Sequence, residues 1–179
     1  MKNLIKLSIL VSLLMSYSFV SGQTSTDDPE ARLQEAGITL APPPPITAIF
    51  HRAVTVGNIV YLSGHGPQKE DGEYMVGKVG SVYNLEEAQA AARLTGIRLL
   101  EALKEEIGNL NKVKRLVKVL GMVNAVPTWD QHSQVINGFS ELMVEAFGEN
   151  GRHARSAIGL GSLPMNIPVE IEMIVELKE

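Results

Sequence analysis

Residues 151–177 read GRHARSAIGLGSLPMNIPVEIEMIVEL. From Val169 onward the residues alternate: Val169, Ile171, Met173, Val175 and Leu177 fall on one side, Glu170, Glu172 and Glu176 on the other. Successive side chains of a strand point to opposite sides, so this is a strand with one apolar side on a core. Ala154–Leu160 reads as a second strand. Pro164 and Pro168 separate the two, because proline has no N–H for a sheet ladder. Arg155 stands out among Ala154, Ser156, Ala157, Ile158 and Gly159, since a permanent charge among small and apolar neighbours needs an anion. A guanidinium presents paired donors in the geometry of a carboxylate, so Arg155 suits a small carboxylate ligand. The alternative is an internal salt bridge to an acid on a neighbouring strand. One of the three acids Glu170, Glu172 and Glu176 can meet a cleft, and the alternative for them is a solvated face.

Upstream, Asp130 to Phe147 has Val135, Phe139, Leu142 and Ala146 at helical spacing. Pro127 separates this helix from a strand over Val113 to Ala125. The longest helix starts at the capping pair Asn84 and Glu87, carries Leu85, Ala88, Ala92, Leu99 and Leu103, and ends at Gly108. Ile46 to Val56 and Asn58 to Ser63 form a hairpin about Gly57-Asn58, and Gln68 to Gly80 holds a loop with a third short strand around Tyr74 to Val76. The expected order is β-β-β-α-β-α-β-β. Alternating strands and helices could signal a doubly wound sheet. The opening hairpin and the paired terminal strands favour an α+β fold, a mixed β-sheet with two helices packed on one face.

At the N-terminus, Lys2 and Lys6 precede an apolar run from Leu7 to Val20, with small residues at Val20-Ser21-Gly22. With an uncleaved anchor as the alternative, residues 1–22 read as a signal peptide, because the run is short of the ~20 residues that span a bilayer. The mature chain is then exported, periplasmic or secreted, with no membrane attachment. Residues 23–45 form a lead segment, with a capped helix from Glu30 to Ala36 and four prolines from Pro42 to Pro45, and residues 46–179 form one domain. Removing residues 1–22 takes away two lysines and no acid, which carries the formal charge from −4 to −6. That balance, with no basic run, argues against a nucleic-acid partner. Cysteine is absent, which excludes disulfides, a thiol nucleophile and Cys-ligated metal.

Ala154-Arg155-Ser156, Leu163-Pro164 and Val169-Glu170-Ile171-Glu172 occur in order, together with Gly57-Asn58, Ser63-Gly64 and Asn137. In this joint pattern, from about Phe50 to Leu177, the chain resembles the YjgF/YER057c/UK114 (Rid) family of enamine and imine deaminases. The resemblance implies a chorismate-mutase-like fold (bacillus type), assembled as a homotrimer with a central β-barrel and ligand clefts between subunits. It implies hydrolysis of a small carboxylate-bearing imine to a 2-keto acid and ammonia, with no metal and no organic cofactor. Arg155 would clamp the carboxylate, and Glu170 would hold the attacking water. Phe50, Gly64, His65 and Asn137 would contact substrate. Phe50 stands where the best-known members have tyrosine, Ala157 where they have cysteine and His153 where they have proline. A non-catalytic protein binding a small carboxylate in the same cleft is the alternative, and a ribonuclease role fits the acidic balance poorly.

Overall fold

The computed structural model describes residues 28–45 and 49–179. The expected signal peptide, and Ile46 to Ala48 of the expected first strand, lie outside them. The elements are α1 (Pro29–Glu35), β1 (Ala53–Val56), β2 (Ile59–His65), α2 (Leu85–Ile107), β3 (Val113–Asn124), α3 (His132–Phe147), β4 (Ala154–Leu160) and β5 (Val169–Leu177), with three short 3-10 turns. The sheet runs β1-β2-β5-β3-β4. Only the β3–β4 pair is parallel, so β4 is an edge strand reached from β3 through α3.

Local chemistry sets the element ends. Asn84 and Glu87 exchange hydrogen bonds, the Glu87 N–H donating to Asn84 Oδ1 at 3.0 Å and the Asn84 N–H to Glu87 Oε2 at 2.9 Å, which satisfies two free donors of the first turn of α2. Gly108 (φ 82°) ends this helix. β1 and β2 join across Gly57-Asn58, with Val56 opposite Ile59. No side chain caps α3, which begins at His132 rather than at the expected Asp130.

On β5, Val169, Ile171, Met173 and Val175 are buried beneath the helices. Each such side chain contributes about 1.5–3 kcal/mol relative to exposure. α2 and α3 lie side by side above this apolar layer. They approach closely at Gly138, where an added Cβ would stand 2.1 Å from the Gln89 carbonyl oxygen. Gly138→Ala must therefore part the helices. The expected loss is about 1–3 kcal/mol, read as a lower urea midpoint with an unchanged m-value. α1 adds Leu33 to the same core, and Glu30 pairs with Lys104 of α2 at 2.5 Å. The opposite side of the sheet carries Tyr61, Leu120, Met122, Ile158 and Ile174 among Lys118, Glu172 and Glu176, and no helix covers it; Tyr61 and Ile158 are 49% and 41% exposed.

The expected third strand is not formed. Gln68 and Tyr74 make a single bridge, and the segment closes on itself through Lys69 N–H to the Glu73 carbonyl and Met75 N–H to the Pro67 carbonyl. Gly72 (φ 87°) and Gly77 (φ 135°) turn the chain too sharply on either side of Tyr74–Val76 for an extended ladder. Among the described residues no helix is long and apolar enough to cross a membrane.

Candidate functional site

Arg155 lies on β4 opposite Val119 of β3, and its side chain reaches α3. Nη1 donates to Asn137 Oδ1 at 3.0 Å and to Ser140 Oγ at 2.9 Å, and Nη2 donates to the Ser133 carbonyl at 3.2 Å. All three acceptors are neutral, and no Arg155 ion pair is found among the described residues, so the internal salt bridge does not form. Partial burial pulls the guanidinium pKa below its ordinary value, a desolvation effect. Three of its five N–H groups are engaged, and Nε–H with one Nη2–H is left for a ligand. This is a fixed cation without a counter-ion.

His153 and Ser140 extend the cluster. His153 Nδ1 lies 2.7 Å from the Gly151 carbonyl, which makes it the protonated nitrogen, so Nε2 accepts the Ser140 O–H at 3.2 Å. Proton donation therefore runs from Arg155 to Ser140 to His153. Burial and the nearby Arg155 both hold His153 below its usual pKa of 6.5, although the Gly151 carbonyl opposes them, so the ring is neutral at pH 7. An anion on Arg155 would raise that pKa and be bound with uptake of a proton. Affinity for a carboxylate probe such as pyruvate should accordingly tighten as pH falls toward the lowered His153 pKa, by up to about tenfold per unit of pKa difference between free and bound protein. Calorimetric titrations between pH 7.5 and 5 check this, and His153→Gln should flatten the profile.

Glu170 belongs to a second cluster. It lies on β5 opposite Met122, on the sheet side away from the helices. An added Cβ at Gly64 would stand 2.1 Å from Glu170 Oε1, so glycine at 64 is what leaves room for the carboxyl group. Burial, and secondarily Glu172, lifts the Glu170 pKa above its usual 4.5. No hydrogen bond or cation from the described residues engages its oxygens. Phe50, 54% exposed, together with Gly64, His65 and Glu170, lines one groove that also includes Tyr74, Ile97 and the segment 41–45. A bulge between Leu62 and His65 turns His65 toward α2, where its Nδ1 meets the Ser63 carbonyl at 2.8 Å. Burial lowers its pKa.

The six residues singled out from the sequence thus form two groups. Arg155 of β4 meets Asn137 of α3, whereas Phe50, Gly64, His65 and Glu170 share the groove. Arg155 and Glu170 project from opposite sides of the same sheet. Sequence reasoning passed over Ser140 and Ser133. Ser140 follows Asn137 by three residues, the spacing that puts two side chains on one helical face, and that was the available signal. Among the described residues no three His, Asp or Glu side chains converge to hold a metal ion.

The chain matches the family described as "YjgF/chorismate mutase-like, putative endoribonuclease" over residues 30–177. It is 36% identical over 148 residues to Protein TCP17 of Trypanosoma cruzi, covering 82% of this chain and 92% of that protein. The crystal structure of Atu1372 from Agrobacterium tumefaciens, a protein of unknown function, superposes with a TM-score of 0.77 at 38% identity, covering 84% of this chain and 92% of that one. RidA from the Antarctic bacterium Psychrobacter sp. PAMC 21119 aligns with a TM-score of 0.53 at 26% identity, covering 76% and 94%. With a five-stranded mixed sheet, helices on one side and this match over most of its length, the chain belongs to the YjgF/YER057c/UK114 (Rid) family.

Proposed function

We propose that this protein hydrolyses small enamines and imines bearing a carboxylate, releasing a 2-keto acid and ammonia. The observation that carries the reading is the Arg155 guanidinium, held by three neutral acceptors with two donors to spare and no counter-ion. Its free N–H pair binds the substrate carboxylate. The enamine takes a proton at carbon and gives one up from nitrogen to become the imine, whose carbon is already electrophilic. Glu170 as carboxylate accepts a proton from water while the water oxygen bonds to that carbon. That proton passes to nitrogen to give a carbinolamine; the Glu170 carboxylate then takes the hydroxyl proton and delivers it to the amine, and ammonia leaves as the C–N bond breaks and C=O forms. A carboxyl group lifted above its usual pKa suits this work, since its carboxylate is a stronger base and its acid form holds the proton to be delivered.

Arg155 and Glu170 project from opposite sides of the sheet, so one chain does not offer both to one substrate. We place the working cleft between subunits of a homotrimer, with Arg155 and Asn137 from one copy and Glu170, Gly64, His65 and Phe50 from the next. The bare sheet side with Tyr61, Ile158 and Ile174 is the surface such an assembly would cover. The mature protein works after export, with residues 1–22 removed; amino-terminal sequencing of exported protein tests this. Ammonia release from imines made in situ by an amino-acid oxidase tests the activity, and folded, trimeric protein that releases none would refute it. Phe50, which lacks a phenolic hydroxyl, favours a second reading, carboxylate binding without turnover. In that case keto acids bind but no imine is consumed. The family description's endoribonuclease activity sits less well with a chain whose net charge is −4, because RNA binding draws on cationic surface.

A further inference from the structure

The groove beside Glu170 encloses about 1240 Å³, whereas pockets of about 300–1,000 Å³ already hold drug-sized ligands. A three-carbon imino acid would leave most of it to water. Its lining combines the apolar Phe50, Tyr74, Ile97, Met165 and Ile167 and the proline strap 42–45 with polar groups from Arg52, His65, Gln68 to Asp71, Arg98 and Glu101. The cations along it are already paired, Arg52 with Glu105, Lys69 with Asp71 and Arg98 with Glu101. The groove therefore offers no free cation to a carboxylate and suits the opposite end of an acid.

These walls are held in place. Glu101 is 3% exposed, and its two oxygens take Arg98 Nη1 at 2.8 and 2.7 Å. Glu101 Oε1 also accepts the Ala41 N–H at 3.1 Å, while Arg98 Nε donates to the Gln68 carbonyl at 2.8 Å. One buried ion pair on α2 thus ties down both the proline strap and the Gln68 loop. Across the groove, Met165 and Asn166 adopt left-handed φ of 53° and 55°, a conformation non-glycine residues keep only when their surroundings impose it. Fully buried Asn124 imposes it here, donating to Asn166 Oδ1 at 2.9 Å and to the Ile167 carbonyl at 3.0 Å, and is itself held by Lys78 at 2.6 Å. Met165 is left 60% exposed at the groove rim.

We propose that this groove is a side-chain subsite, and that the acids taken by the protein carry a bulky apolar substituent, aromatic or branched aliphatic. The inference rests on the carboxylate-binding reading above and narrows its substrate class. Keto acids test it without requiring turnover. Calorimetry on the native protein should show phenylpyruvate and 4-methyl-2-oxopentanoate binding at least about tenfold more tightly than pyruvate, since each apolar group buried in a hydrophobic pocket is worth that order of discrimination. Tyr74→Ala and Ile97→Ala, each checked for native circular dichroism, should shrink the preference to within about threefold and leave pyruvate affinity unchanged; Tyr74→Phe should preserve it. Equal affinities, tighter pyruvate binding, or no binding by any of the three would overturn the subsite. A size preference in binding with no ammonia released from the matching imines would leave the subsite standing and remove the deaminase reading alone.

Discussion

Glu170→Gln lowers kcat for ammonia release by about 10²–10⁴-fold, the usual contribution of a positioned general base, with KM little changed. Glutamine keeps the shape of the side chain over Gly64 but cannot accept the proton of the attacking water. Stability should move the other way. Burial raises the folded-state pKa of Glu170 above its unfolded value, so ionisation is disfavoured in the fold. The group's contribution is then favourable below the unfolded pKa and is lost as pH rises through the folded one. At pH 7 the neutral glutamine should leave the melting temperature unchanged or slightly higher. An inactive variant that melts no earlier marks a chemical role, while one that melts earlier and loses activity in proportion would mark a structural one. In the wild type, kcat should rise with pH through the Glu170 pKa, above 4.5, as the base form appears.

Arg155→Ala lowers kcat/KM by about 10²–10⁴-fold, because two hydrogen bonds to a charged carboxylate are each worth about 1.5–3 kcal/mol. Arg155→Lys should recover little. Asn137, Ser140 and the Ser133 carbonyl are spaced for a planar fork, and an ammonium cannot meet all three and still present a donor pair outward. The two inactive variants together test where the cleft lies. If Arg155 and Glu170 meet across a subunit boundary, co-refolding Arg155→Ala with Glu170→Gln rebuilds an intact cleft at about a quarter of the boundaries in randomly mixed trimers, one boundary in two times one in two. About a quarter of wild-type activity should return. No recovery in mixed trimers would place both groups in a single chain's site.

Much of the fold could be read directly from residues whose chemistry acts over a few positions. Asn84 and Glu87 cap α2 as their three-residue spacing requires, and Gly108 ends it. The alternation in Val169–Leu177 assigned the buried side of β5 correctly, because a two-residue period has one meaning once a core exists. The expectation at Tyr74–Val76 failed for a reason equally local in origin but tertiary in effect. The residues favour a strand, yet Gly72 and Gly77 turn the chain on either side of them and only the Gln68–Tyr74 bridge forms. Arg98 and Glu101, three residues apart, look in sequence like an exposed helical pair. In the fold they lie beneath the proline strap and hold the groove together.

The sequence by itself determined most of the element types, the apolar side of the last strand, the absence of thiol chemistry and Arg155 as the residue out of keeping with its strand, while the family resemblance singled out Glu170. Only the tertiary structure decided that these two project from opposite sides of one sheet. β4 could not reveal its own core side, because Ala154, Ser156, Ala157 and Ile158 are small or apolar on both faces and carry no alternation. Its orientation follows from the parallel register with β3, Val119 opposite Arg155, and from α3 packing over that side. Ser140 and His153 likewise became partners of Arg155 only when the α3-to-β4 turn brought residues 13 apart within hydrogen-bond reach. Alternation is a property of a single strand, whereas a site built from two strands and a helix depends on register and packing, which no short run of residues encodes.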